Sequence, residues 1–248
     1  MREVGMRHTE IEEQLTAVRG RIARACEDVG RDPGEIILVA VTKFFPVSDI
    51  GHLLDLGVAD IGENKDQEAG AKVAELEPGV RERLTVHFVG QLQSNKAGRV
   101  ARYADVVHSV DRVKIVGALD RGRAAALEQG HATTPLEVLV QVDLGEGDQA
   151  GRGGAAPDQV PALAEAVAKS GHLRLGGLMA VAPRGLDEEG IRLAFGRLAD
   201  LGAQVRAEHP EADALSAGMS ADLELAIAGG ATHLRVGSAI LGSRQTDR

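Results

Sequence analysis

Eight short apolar runs recur along the chain, each separated from the next by a stretch of helical periodicity. This alternation constrains the fold more than any other feature. The first run, EIILVAV (35–41), is apolar on both faces, as strands buried in a parallel sheet are. The others are VADIG (58–62), LTVHFVG (84–90), ADVVHSV (104–110), LEVLVQVDL (136–144), LRLGGLMAV (173–181), DALSAG (213–218) and THLRVG (232–237). Ahead of them, Ile11, Leu15, Val18 and Ile22 recur at helical spacing and predict a leading helix over about residues 7–28. Eight strand–helix units in 248 residues match the size of a (β/α)8 barrel. The expected fold is therefore α/β, a single TIM-type barrel with an extra N-terminal helix. A doubly wound sheet fits the same pattern and stands as its rival. No stretch reads as a linker, so one domain over 1–248 is expected. Asp111 and Ser220 stand where helix N-caps belong.

Composition narrows the class. A chain that is 44% hydrophobic and 26% charged can bury a full core. A net charge of −9, a single tyrosine and no tryptophan argue against nucleic acid as a partner. The opening MREVGMRHTEIEEQL has no apolar run of signal-peptide type, and no later run reaches membrane length. A cytoplasmic protein without a membrane partner is the expectation. Cys26, the single cysteine, lies on the apolar stripe of the leading helix and reads as a buried, inert thiol.

Barrel chemistry gathers at the C-terminal ends of strands, and phosphate sites favour the loops after strands seven and eight. Those loops fall within LSAGMSADLELAIAGGATHLRVGSAILG, Leu215 to Gly242. The seventh strand leads into Gly218, Met219 and Ser220, the eighth into Gly237, Ser238 and Ala239. Backbone N–H groups at two helix starts, with a glycine that lets them approach an oxygen closely, suit a bound phosphate. Taken singly, Ser220 is equally an N-cap and Gly237 a loop residue. Lys43 closes the first strand. Such a lysine is usually a solvated strand-end charge, but at the functional face of a barrel partial desolvation makes its neutral amine more accessible. Lys43, Arg235 and the two loops together suggest a phosphate-bearing aldehyde held through an imine.

The remaining motifs add little. GEGDQA (145–150) formally matches a dinucleotide fingerprint, but Glu146 and Asp148 would face a pyrophosphate and no helix opens after it, so a flexible mouth loop is the better reading. The eight histidines show no ligand spacing, and no metal is inferred. His87 and His108 lie inside strand patterns and read as satisfied structural residues. Gln91, Asn95 and Lys96 are placed to line the mouth, with a helix cap from Ser94 or Asn95 as the plainer account.

Blocks along almost the whole chain resemble the pyridoxal phosphate homeostasis proteins: LVAVTK (38–43), GENKDQE (62–68), HFVGQLQSNK (87–96), HSVD (108–111), GLMAVAP (177–183), LSAGMSADLELAI (215–227) and GATHLRVGSAILG (230–242). The resemblance implies one (β/α)8 domain, like the barrel half of alanine racemase, with pyridoxal 5′-phosphate (PLP) bound covalently. By position, Lys43 is implied to form the aldimine and Ser220, with the backbone around Gly237 and Ser238, to hold the phosphate. Arg235 is implied to face the pyridine nitrogen, and Asn64 to lie near the cofactor ring. PLP enzymes that need a strong electron sink usually set a carboxylate at that nitrogen. A guanidinium there disfavours the pyridinium and suits a carrier, whereas a structural ion pair is the other reading of Arg235. The chain departs from the family pattern at Lys65 and Asp66 after GEN, at Val86 and at Ala217. These positions bear on pocket entry, not on the covalent site.

Two functions compete. In the first, the protein holds PLP for intracellular vitamin B6 homeostasis, with no catalytic residue and no robust turnover, and with amino acids or PLP-accepting apoenzymes as further partners. The second is an amino-acid racemase, which needs two acid/base groups. The resemblance implies that racemases take the second, a tyrosine, from a domain beyond the barrel. Tyr103, the only tyrosine, falls late in a helix after the third strand. That domain also supplies the racemase dimer interface, so a monomer is expected here. A sugar-phosphate isomerase barrel is a third class.

Overall fold

In the computed structural model, which describes residues 2–145 and 153–242 and side chains from residue 5 onward, the eight apolar runs become eight parallel strands in one closed barrel. They are β1 (Ile37–Val41), β2 (Asp60–Glu63), β3 (Thr85–Phe88), β4 (Val106–Val110), β5 (Leu136–Val142), β6 (Leu173–Ala180), β7 (Ala214–Ser216) and β8 (His233–Val236). Each strand pairs with the next in sequence, and β8 returns to β1 over Ile37↔His233 to Ala40↔Val236. That last pairing rules out the doubly wound sheet, which leaves its two edges open. Closure satisfies the backbone groups an open edge would expose. The least paired seam is β7 to β8, joined in register only at Ser216↔His233.

The outer layer comprises α1 (Arg2–Asp28), α2 (Val47–Asp55), α3 (Asp66–Glu75), α4 (Pro78–Arg81), α5 (Ser94–Tyr103), α6 (Val113–Glu128), α7 (Val160–Ala168), α8 (Glu188–Glu208), α9 (Leu223–Ala228) and α10 (Ser238–Leu241). The leading helix starts earlier than its apolar stripe predicts. It buries Ile11, Leu15, Val18, Ile22 and Cys26, and it packs over α2, α9 and α10. Arg7 ties it to Asp49 at 2.6 Å and to the Leu241 carbonyl at 3.0 Å, and Arg21 forks onto Glu224 at 2.7 and 2.8 Å. Burial pushes the Cys26 thiol up, as an inert core thiol requires.

The expected caps differ from those observed. Helix α6 has Arg112 at its N-cap with no side-chain cap, and Asp111 instead receives Arg112 at 2.7 Å. Helix α9 opens only at Leu223 with Asp222 at the cap, which leaves Ser220 in the preceding loop. Gln93 occupies the cap of α5, so neither Ser94 nor Asn95 caps it. Helices α6 and α9 begin two and three residues beyond Asp111 and Ser220, because the strand-end loops carry the chain round the barrel rim before a helix can start, whereas α5 already begins at Ser94.

Candidate functional site

The loops after β7 and β8 meet at the C-terminal end of the barrel. The Arg235 N–H donates to the Gly218 carbonyl at 2.9 Å and holds the β7 loop against β8. Ser238 Oγ donates to Ser220 Oγ at 3.3 Å, and the Ala239 N–H reaches the same oxygen at 3.4 Å. A Cβ on Gly237 would stand 3.2 Å from the Val41 carbonyl oxygen and 3.3 Å from Val41 Cβ, so glycine lets β8 turn tightly against β1. Ser220, Gly237 and Ser238 are therefore brought together, with Gly237 against Val41, two residues along the chain from Lys43. Displaced from its cap, Ser220 keeps its hydroxyl for this cluster. Two hydroxyls beside the opening N–H groups of α10 form a donor set suited to an anion.

Lys43 is half-buried just past β1, next to a residue in an uncommon conformation: Phe44 has φ 71°, in the left-handed region. A clamp built from β2 and α3 holds the chain there. Lys72 Nζ donates to the Thr42 carbonyl at 2.7 Å and to Glu63 at 2.8 Å, and pairs with Glu68 at 3.0 Å. Thr42 Oγ1 donates to Glu63 at 2.6 Å, and the Phe44 N–H donates to Glu68. The residues on both sides of Lys43 are thus fixed by side chains, and the ammonium of Lys65 lies 5.0 Å over the Phe44 ring. Burial pushes the Glu63 carboxyl up against the opposing pull of Lys72 and Thr42. On Glu68 burial also acts upward, but the Phe44 N–H and Lys72 outweigh it and its pKa falls. Sequence reading missed this clamp. The Glu68/Lys72 spacing of one helical turn was visible, but the reach of Lys72 to Thr42 across 30 positions was not.

Asn64 leaves β2 beside the end of β1, since Thr42 N donates to the Gly62 carbonyl at 2.9 Å. A Cβ on Gly90 would fall 1.9 Å from the Asn64 carbonyl oxygen, so the loops after β2 and β3 touch only because residue 90 is glycine. Asn64 is half-buried at this junction.

Arg235 lies inside the barrel, 5% exposed. Its guanidinium donates to Ser216 Oγ at 2.6 Å and to the Ala180 carbonyl at 2.8 Å. Among the described residues it forms no ion pair, so its partners are a hydroxyl and a carbonyl. Burial lowers its pKa to about 10, with Asp222 acting in the opposite sense. A charged donor buried without a carboxylate is costly unless it meets an electron-rich group, and it keeps donors for one. His87 and His108 are indeed satisfied, bonded to each other at 2.8 Å. Tyr103 ends α5 with its hydroxyl buried, and burial, followed by the nearby carboxylates Asp66 and Glu63, pushes its pKa far up. The GEGDQA reading falls at 146–150, outside the described residues. Among the described residues no group of acidic, histidine or cysteine side chains could hold a metal ion, and no helix is long and apolar enough to cross a membrane.

The chain is similar to known proteins over nearly its full length. The model of the alanine racemase N-terminal domain matches residues 34–245. The pyridoxal phosphate homeostasis protein of Mycobacterium tuberculosis H37Rv is 43% identical over 247 residues, covering 96% of this chain and 95% of that protein. Its counterpart in Escherichia coli K12 is 38% identical over 236 residues, 95% of this chain and 97% of that protein. Among solved structures, PipY of Synechococcus elongatus PCC7942 with PLP bound superposes with a TM-score of 0.77 at 32% identity, over 94% of this chain and 100% of that one. With its closed barrel, its strand-end lysine and identity sustained over nearly the full length of both chains, this chain belongs to the pyridoxal phosphate homeostasis proteins, within the alanine racemase N-terminal domain family.

Proposed function

We propose that the chain binds PLP through Lys43 and holds it for intracellular vitamin B6 homeostasis, as a carrier or regulator without robust turnover. The observation that carries this reading is the buried, carboxylate-free Arg235, set in a barrel whose relatives are PLP homeostasis proteins, one of them solved with PLP. The donor set fits the cofactor part by part. Lys43 offers an amine to the aldehyde, and Ser220, Ser238 and the backbone at Gly237 offer donors to the phosphate. Arg235 offers N–H groups to the pyridine nitrogen, and Asn64 lies at the loop beside the ring.

PLP, when bound, supplies an aldehyde for covalent attachment and a ring able to accept electrons from a bonded amine. Arg235 works against the second property, because a fixed guanidinium disfavours a proton on the ring nitrogen and leaves a weak electron sink. Such a site binds and retains. Racemisation also needs an acid/base group opposite Lys43, and Tyr103, with its hydroxyl buried at the far end of α5, is poorly suited to that role. The site residues belong to one barrel domain spanning 1–248. We place the protein in the cytoplasm as a monomer, with amino acids or PLP-accepting apoenzymes as further partners.

Titration of the purified protein with PLP, followed by visible absorbance, tests the reading. Wild type should take up one equivalent and Lys43→Ala should lose the covalent absorbance band. A chiral assay at saturating PLP should detect no sustained turnover of amino acids. Robust racemisation, or equal spectra for wild type and variant, would contradict the proposal.

A further inference from the structure

Arg235 stands at one end of a buried hydrogen-bonded chain that crosses the barrel. Ser216 Oγ, which accepts from Arg235 at 2.6 Å, lies 2.9 Å from His108 Nδ1. His108 Nε2 lies 2.8 Å from His87 Nδ1, and His87 Nε2 lies 2.9 Å from Asp60 Oδ1. Asp60 is the first residue of β2, at the rim opposite the loops that carry Lys43 and Ser220, and its side chain is 29% exposed. It lines an open cavity there with Ile37 and Ala59.

The direction of the chain follows from the chemistry of its first member. A guanidinium only donates, so Ser216 Oγ accepts from it and still has its own proton to give, for which His108 Nδ1 is the acceptor in reach. His108 then carries its proton on Nε2 and donates to His87 Nδ1, and His87 carries its proton on Nε2 and donates to Asp60. Every donor and acceptor is used once. The opposite arrangement places the shared proton on His87 Nδ1 and makes His108 donate to Ser216. The Ser216 proton would then have no acceptor among the described hydrogen bonds, in a residue 0% exposed. Burying a hydroxyl without an acceptor forfeits its solvation with nothing in return, and that selects the first arrangement.

We propose that Asp60, His87 and His108 are positioning residues for Arg235: a one-way hydrogen-bonded chain orients the guanidinium toward the ligand and gives it a counter-charge at the opposite rim. This rests on the PLP reading above. A carboxylate placed directly against Arg235 would bind it in a two-pronged pair and take the donors the ligand needs. A neutral relay supplies compensation while leaving those donors available. The charged and titratable groups facing the relay are Asp60 from β2, His87 from β3, and His233 and Arg235 from β8, with Asp213 near His233 and Asp222 near Arg235. Burial, followed by His87, Arg235 and His233, holds His108 well below the usual histidine range, consistent with a neutral ring.

Nitrogen NMR of the ligand-free protein at neutral pH reads the chain independently of PLP. His87 and His108 should both be neutral Nε2–H tautomers. The second measurement is the pH midpoint of the bound cofactor's visible absorbance in Asp60→Asn, which keeps the acceptor for His87 and removes the charge. Loss of an anion at the end of the relay weakens proton binding along it, so the midpoint should move to lower pH by about half a unit. Glu188→Gln, an exposed carboxylate change, should leave it unmoved. A Nδ1–H tautomer or a protonated ring at either histidine overturns the proposal, as does an unshifted midpoint in Asp60→Asn. Where that variant does not fold, the tautomers decide alone. Failure of the wild type to take up PLP is a separate result, seen before any variant is made, and it overturns the functional reading and this proposal with it.

Discussion

Burial costs a charged or protonated side chain the solvation it has in water, and three neighbouring residues inside this barrel respond in two ways. Arg235 keeps its charge with a hydroxyl and a carbonyl as partners. His108 and His233 resist protonation. For His233 the pKa falls from 6.5 to about 4, first through burial and then through His87, against the pull of Asp60 and Asp213. The unfolded chain therefore binds a proton on this ring below pH 6.5 that the folded chain refuses until about pH 4. Stability is complete above that window and is lost as pH falls through it, by on the order of 3 kcal/mol for this residue. Urea unfolding of His233→Gln between these limits should show a shallower pH dependence than wild type, and equal slopes would contradict the argument. At this scale the sequence was partly legible. Lys43, Ser220, Gly237 and Arg235 stood out because strand ends in a barrel are where chemistry gathers. The relay did not, because its bonded members lie 19 to 108 positions apart and only the closed barrel brings them together, and neither did the reach of Lys72 to Thr42 across 30 positions.

Among the elements, α1 is the one that the barrel pattern alone does not require. Its stripe of Ile11, Leu15, Val18 and Ile22 was readable from spacing, and all four are buried against the barrel's outer layer. Its start was not readable, because no helix breaker precedes the stripe other than Gly5. The polar contacts to Glu224 and Asp49 orient the helix. Arg21 and Glu224 are 29% and 44% exposed, so that pair contributes about 1 kcal/mol or less. Packing carries the attachment. Leu15→Ala, at a site 1% exposed, should cost about 2–5 kcal/mol in chemical denaturation, whereas Glu224→Gln should cost far less. A reversed order would mean that charge, not burial, holds the helix. The caps at Asp111 and Ser220 were misread because local polarity identifies a candidate cap but not how far a loop travels before the helix opens.

For the whole molecule, alternation of strands and helices was legible throughout, but closure was not. A barrel and a doubly wound sheet share the same local pattern, and the contact that separates them joins the first strand to the last. That same contact sets the site. Pairing of β1 with β8 brings Lys43's strand end to Gly237, beside the serine pair, while Arg235 lies on β8 two residues before Gly237. On the proposed function, this juxtaposition captures PLP at one lysine. Borohydride reduction of the PLP-treated protein, with peptide mapping by mass spectrometry, tests it most directly. A pyridoxyl group is expected on Lys43 alone, absent from Lys43→Ala. Labelling scattered over Lys65, Lys96 and other surface lysines, with Lys43 unmodified, would contradict it.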